Sequence, residues 1–277
     1  MLAEVVEQLA GSVDDARLDA EVLLCHLLSL PRVTLYSRPE TVVSEVQYRD
    51  FMALVARRRA GEPVAYLVGE REFWSLKLEV STAVLIPRPE TELLVEQTLL
   101  RIPDDAHWRV ADLGTGSGAI ALAVAQERAR CRVVASDCSA AALAIAQRNA
   151  EQLQLNNVEF RHGSWFAPLA AEHFHVVLSN PPYIAAGDSY LQRGDLRFEP
   201  GHALVSGADG LDAIREIVAT AADHLQTAGW LLLEHGYEQG TQVRALLKAN
   251  GYSRIETVRD YAGHERVSVA QLGASLC

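Results

Sequence analysis

The sequence predicts an α/β protein, a mostly parallel seven-stranded sheet with helices on both faces, preceded by a small helical bundle. Three patterns carry that prediction. From Trp108 onward, short apolar runs alternate with amphipathic stretches of helical length, which marks strands buried on both faces. From Val5 to about Leu67, apolar residues recur at helical spacing. Between these regions, residues 69–89 change to an alternation of period two.

In the first region Leu18, Val22, Leu23 and Leu27 form one helical stripe, with Asp14 or Asp15 placed to cap it. A second stripe runs through Val46, Phe51, Leu54 and Val55, and Pro31, Pro39 and Pro63 punctuate the helices. The cluster Arg57-Arg58-Arg59 reads as a solvated helix C-terminus that complements the dipole. No catalytic constellation occurs here, so substrate recognition or plain packing is the expected role. Next, residues 72–80 read as one strand and 83–86 as a second, together a hairpin linking two domains. Two prolines in Ile86-Pro87-Arg88-Pro89-Glu90-Thr91-Glu92 then fix the backbone before a helix that starts near Thr91.

The alternating region places strands at 109–113, 132–136, 158–161, 175–179, 230–234, 255–259 and 267–271, with helices at 119–127, 140–152, 211–225 and 240–249. Only a turn, 260–265, separates the last two strands, so that pair is antiparallel. The predicted domains are a helical recognition domain at 1–70, a hairpin linker at 71–105 and a ligand-binding α/β domain at 106–277.

Composition narrows the function. The net charge of −11 is spread as −4, −3 and −4 over those three segments, so no basic module is hidden in the chain. Phosphate contacts supply most nucleic-acid affinity, and this balance argues instead for a small-molecule or protein substrate. No apolar run reaches the roughly 20 residues that span a bilayer. The first residues carry Glu4 and Glu7 where a signal peptide carries basic residues, so a cytoplasmic, membrane-free protein is expected. Cys25, Cys131, Cys138 and Cys277 show no metal-ligand spacing, and the histidines are scattered. No metal is expected.

In such a sheet, ligands bind at the carboxyl ends of the strands. Asp112-Leu113-Gly114-Thr115-Gly116-Ser117-Gly118 follows the first strand and opens a helix, where glycines permit close backbone approach. Asp137 ends the second strand, where a carboxylate can accept both ribose hydroxyls. Together these describe an adenosine-ligand site, and Gly114, Gly116 and Ala119 keep a nicotinamide dinucleotide open as the ligand. Asp112 favours a ligand with a cationic ammonium or sulfonium group over a pyrophosphate, because like charges repel.

Asn180-Pro181-Pro182-Tyr183 ends the fourth strand. Prolines cannot donate ladder hydrogen bonds, so packing does not account for this ending. The segment supplies a side-chain carbonyl on Asn180, a free carbonyl on Pro181, rigidity from Pro182 and an aromatic face on Tyr183. Two acceptors and a ring suit a planar NH₂ group. An amide nitrogen is a poor nucleophile, and in-plane acceptors orient it and stabilise the positive charge that develops as it is methylated.

With these segments, and with Gly69-Glu70-Arg71-Glu72-Phe73-Trp74, Arg197-Phe198-Glu199-Pro200 and Leu231-Leu232-Leu233-Glu234-His235-Gly236, the chain resembles the peptide chain release factor glutamine N5-methyltransferase family (PrmC/HemK type) over its whole length. The pairing of Ile-Pro-Arg-Pro-Glu-Thr-Glu with Asn-Pro-Pro-Tyr is its most specific feature. The resemblance implies a Rossmann-like class I methyltransferase fold and S-adenosyl-L-methionine as cofactor. It implies that Asp112, Gly114 to Gly118, Asp137, Trp165 and Asn180 hold that cofactor, with Trp165 beside the adenine. The acceptor it implies is the glutamine of the Gly-Gly-Gln loop in class I release factors, gripped by Asn180 to Tyr183 with Arg88 and Glu90 nearby. A monomer is expected. The nearest rival is an adenine N6 or guanine N2 methyltransferase, which would share the tetrad but lacks support from the acidic charge. A cofactor-fold binding protein would show a damaged site, whereas Asp112, Asp137 and Asn180 are intact.

Overall fold

The computed structural model describes residues 1–13, 15–169, 171–192 and 194–273. The first 70 residues form α1 (Leu2–Leu9), α2 (Ala16–Leu28), α3 (Val33–Ser37), α4 (Glu45–Arg59) and α5 (Val64–Val68). Local chemistry sets their starts. Asp15 caps α2 by accepting from the Leu18 amide, and Ser44 with Gln47 makes a reciprocal capping box at α4. Asp14 lies outside the described residues. Val5, Leu9, Leu23, Phe51, Val55 and Leu67 form the core of this bundle, while Leu18 and Val46 from the expected stripes are exposed.

The basic cluster departs from expectation at its middle residue. Arg58 is buried rather than solvated, and pairs with Asp19 at 2.6 Å and Asp195 at 3.0 Å. Its partner Asp195 belongs to a segment far along the chain. Met1–Glu70 together with Ser189–Phe198 makes one compact unit, and Arg71–Asp188 with Glu199–Cys277 makes the other. Arg197 donates to the Ala60 carbonyl at 2.9 Å and occupies the space that a side chain at Gly61 would need.

The second unit opens on a hairpin, β1 (Glu70–Phe73) and β2 (Leu76–Glu79). The expected single strand over 72–80 is therefore two strands. Trp74 and Ser75 both take positive φ, 52° and 58°, and form the two-residue turn. Residues 83–86 form no strand. The amide of Val84 closes a turn onto Ser81, and the amide of Ile86 goes to the Glu199 carboxylate, so this apolar run makes no ladder. A 3-10 turn at Pro89–Thr91 leads into α6 (Glu92–Leu99).

The sheet and its covering helices follow as β3 (Arg109–Leu113), α7 (Ala119–Glu127), β4 (Arg132–Asp137), α8 (Ala140–Gln152), β5 (Val158–His162), β6 (Phe174–Ser179), α9 (Asp212–Ala221), β7 (Leu225–Glu234), α10 (Gly240–Ala249), β8 (Tyr252–Arg259) and β9 (Glu265–Leu272). Strand order is β5-β4-β3-β6-β7-β9-β8, parallel except that β9 runs antiparallel between β7 and β8. The seven-stranded, mostly parallel α/β architecture is as expected. Alternate residues feed two cores: Val176 and Leu178 face the side of α6 and α7, while Val177 faces α9 and α10. Helix α7 has buried apolar residues around its whole circumference, as a helix enclosed by other elements does. Among the described residues, no helix is long and apolar enough to cross a membrane.

Candidate active site

The chain order reverses between β3 and β6, which pair in register with Leu113 opposite Ser179. The Ser179 hydroxyl donates to the Leu113 carbonyl at 2.6 Å and locks the two strand ends together. The glycine loop leaving β3 and the Asn-Pro-Pro-Tyr segment leaving β6 thus start side by side. They border an open cleft lined among others by Gly114 to Ser117, Asp137, Trp165, Thr91, Arg88, Asn180 and Pro182.

The glycine loop is tightly fixed. Amides of Gly114 and Thr115 donate to the Ser136 carbonyl, and the Gly116 amide donates to Asp137 Oδ2 at 2.9 Å. Gly118 sits at φ 84°, and a Cβ there would lie 3.1 Å from both Ala146 and Leu122. Behind the loop, the buried Asn149 of α8 donates to the carbonyls of Ser117 and Glu79 and accepts from the Glu79 amide. Asp137 Oδ1 accepts from the Ser139 amide, so each carboxylate oxygen keeps a second lone pair for a ligand. Trp165, at positive φ of 45°, is held by its carbonyl, which accepts from Ser136, and its ring packs over Gly114.

Asp112 lies beneath this loop. It is fully buried and not a cleft wall, its Oδ2 accepts from the Thr115 hydroxyl at 2.6 Å, and its Oδ1 has no hydrogen-bond partner among the described residues. Burial pushes its carboxyl up to about 7.

In the tetrad, Asn180 Nδ2 donates to the Thr91 hydroxyl at 3.1 Å, which leaves Oδ1 without a partner among the described residues. The Pro181 carbonyl also accepts no hydrogen bond among them. Tyr183 is anchored at both ends. Its hydroxyl donates to Glu234 Oε1 at 3.3 Å, and its carbonyl accepts from Gln239 at 3.0 Å, with Gly210 too close for any side chain. Burial, and then the nearby Glu234, hold the Tyr183 phenol above its ordinary range, so it stays protonated.

Comparison with known proteins adds a name to this geometry. The N-terminal residues 1–69 match the PrmC N-terminal domain, and residues 89–194 match the methyltransferase small domain. A release factor glutamine methyltransferase of Xylella fastidiosa (strain Temecula1) is 52% identical over 92% of this chain and 93% of its own. The chain belongs to the release factor glutamine methyltransferase family. The Escherichia coli K12 relative of the same name is 46% identical over 98% of this chain and 97% of its own. A methyltransferase from Pyrococcus furiosus covers 81% of this chain and 98% of its own with a TM-score of 0.55. At 20% identity that likeness speaks for the fold alone.

The enzyme is therefore an S-adenosylmethionine-dependent methyltransferase, and the residues present fit that cofactor. Gly116 lines the cleft, and a Cβ there would meet nothing within 4 Å, so its backbone is open to close approach. Asp137 offers free lone pairs, and Asp112 holds an unpaired buried carboxylate oxygen. Of the acceptor-side residues, Arg88 lines the cleft and pairs with the buried Glu199, while Glu90 is exposed and not among the lining residues. Thr91 and Glu234 stand in segments that the sequence reading quoted, but it gave them no role at the site. The signal was present, because Glu234 is a charged residue closing the apolar run Leu231-Leu232-Leu233 at a carboxyl strand end, where ligand sites form.

Proposed function

We propose that the enzyme transfers a methyl group from S-adenosyl-L-methionine to the side-chain amide nitrogen of a glutamine, that of the Gly-Gly-Gln motif of class I release factors. Bound in the cleft, the cofactor supplies an electrophilic methyl group on a sulfonium. Asp137 accepts from its ribose, and Trp165 with the Gly114 to Gly118 loop forms the adenosine wall. Asn180 Oδ1 and the Pro181 carbonyl accept the two N–H groups of the acceptor, and Tyr183 lies against its plane. As the new N–C bond forms and the S–C bond breaks, positive charge develops on nitrogen, and these carbonyl dipoles stabilise it. The surplus proton leaves to water, since Asn180 is neutral and the tyrosine phenol is held protonated.

The observation that carries this reading is the unpartnered Asn180 Oδ1 on the wall shared with the glycine loop. Arg88, paired with Glu199, orders the rim rather than binding the acceptor by charge. Residues 1–70 recognise the release factor, a reading supported by their match to the PrmC N-terminal domain. The acidic charge of −11 favours a protein acceptor over nucleic acid, and we take the enzyme to be a cytoplasmic monomer. The test is incubation with labelled cofactor and a panel of release factors, tRNA and DNA, with the modified residue mapped by mass spectrometry. Label on the release factor glutamine is expected. Label confined to a nucleobase would overturn the proposal.

A further inference from the structure

Two of the four residues in Asn180-Pro181-Pro182-Tyr183 are prolines, which have no amide proton, and the Pro181 carbonyl has to stay free for the acceptor. Side-chain holds on the segment therefore fall on its first and last residues. At the first, the Asn180 side chain donates to Thr91 at 3.1 Å. At the last, the Tyr183 carbonyl accepts from Gln239 Nε2 at 3.0 Å. Gln239 ends the loop that leaves β7, the strand paired with β6, so this bond ties two neighbouring strand-end loops together.

Gln239 stands at the start of α10, yet its side chain caps nothing there. It turns instead to three backbone groups. Its Oε1 accepts from the Gly236 amide at 2.9 Å, and its Nε2 reaches the Asp209 carbonyl at 3.4 Å as well as that of Tyr183. A peptide N–H only donates and a carbonyl only accepts, so a single orientation of the side-chain amide satisfies all three. That orientation aims the NH₂ at Tyr183. Two glycines make room for it. A Cβ at Gly236 would lie 3.0 Å from Oε1, and one at Gly210 would lie 2.8 Å from Nε2 and closer still to the Tyr183 carbonyl.

We propose that Gln239 is a positioning residue for methyl transfer, its amide holding the Tyr183 carbonyl so that the ring and the Pro181 carbonyl meet the acceptor nitrogen in a fixed place. The prolines carry the effect. Their locked φ leaves little play between Tyr183 and Pro181, so a hold on the last residue also holds the carbonyl two residues earlier. The proposal rests on the reading of Asn180 to Tyr183 as the grip on the acceptor NH₂.

Gln239→Glu keeps the acceptor for Gly236 but has no proton for Tyr183 at neutral pH, and Gln239→Met keeps the length and loses both. Single-turnover transfer to the release factor is followed at saturating cofactor, with rate constant and amplitude read separately and cofactor dissociation constants taken by calorimetry. The rate constant should fall about 10-fold in each variant, with amplitude near wild type and the cofactor constant within about twofold. A side chain that only stabilised the fold would cost amplitude and leave the rate constant of the folded molecules alone. Lower pH separates the lost proton from the lost shape. Once protonated, the new carboxyl can donate to Tyr183 again, so the ratio of Gln239→Glu to wild-type rate constants should rise from about pH 8 to about pH 5.5, while that of Gln239→Met stays level. Titratable groups around the site, namely Asp209, Glu234, His235 and the Arg244–Glu265 pair, stand in wild type too, so their own titration cancels from the ratio. A wild-type rate constant in either variant at about pH 8, a loss confined to amplitude, or a Gln239→Glu ratio that does not move with pH would each overturn the proposal. Should Gln239→Met fail to fold, Gln239→Glu carries the test alone. If mass spectrometry finds the wild-type methyl group on another NH₂, the glutamine reading fails, while the same loss and pH recovery would still uphold this one.

Discussion

Replacing Asp112 by asparagine should make the cofactor-free enzyme more stable at neutral and alkaline pH. The carboxyl is fully buried and raised from 3.8 to about 7. A group whose folded pKa lies above its unfolded value stabilises fully below the unfolded value and loses that contribution as pH rises through the folded one. A rise of this size corresponds to something on the order of 4 kcal/mol between about pH 4 and pH 7. Asparagine keeps an acceptor for the Thr115 hydroxyl and carries no charge, so it escapes the loss. Glu234, also raised to about 7, titrates in both proteins and cancels from the difference. Urea unfolding of both proteins, at steps from about pH 5 to pH 8, should show asparagine gaining stability over wild type as pH rises. All four tryptophans lie in the Arg71–Asp188 and Glu199–Cys277 unit, so their fluorescence reports the unit that matters. A difference flat to within about 1 kcal/mol across that range would refute the argument. The same variant should bind S-adenosylmethionine more weakly, because it lacks the carboxylate that attracts a cationic group.

Three other outcomes follow from the geometry. Asn180→Ala should slow single-turnover transfer by roughly 10²–10³-fold while cofactor affinity, measured by calorimetry, changes much less. Asn149→Ala strips partners from three backbone groups, with a cost of about 2–4 kcal/mol, seen as a Tm roughly 5–10 °C lower. Gly118→Val forces a branched side chain into positive φ and against Ala146 and Leu122, and equilibrium dialysis should find cofactor binding lost.

The α/β core was legible because each level of the sequence agrees there. Helix α8 runs over 140–152 as read, and Ser139 accepts from the Ala142 amide at its start, while Gly118 opens α7 at 119. The hairpin was misread because its turn is Trp74-Ser75, a pair without the Asn or Gly that usually marks positive φ. The 83–86 run looked like a strand, since nothing local shows that the Ile86 amide is taken by Glu199, 113 residues away. Distance also hid the burial of Arg58, whose partner Asp195 lies 137 residues on. The glycine loop and the tetrad were readable as consecutive residues with chemistry of their own. Thr91 meets Asn180, and Glu234 meets Tyr183, only because folding brings them together.

The helical unit is discontinuous in the gene. Its second piece, Ser189–Phe198, is a detour of ten residues that leaves the catalytic unit and returns to it one residue before Glu199. A graft of residues 1–70 from a relative would thus inherit a foreign 189–198, with Arg58 facing a stranger in place of Asp195 and Arg197 fitted to the wrong glycine. Chimaeras intended to exchange substrate preference have to move both pieces together. Deletion of 1–70 is likewise an incomplete cut, because it leaves behind a fragment shaped to a unit no longer there.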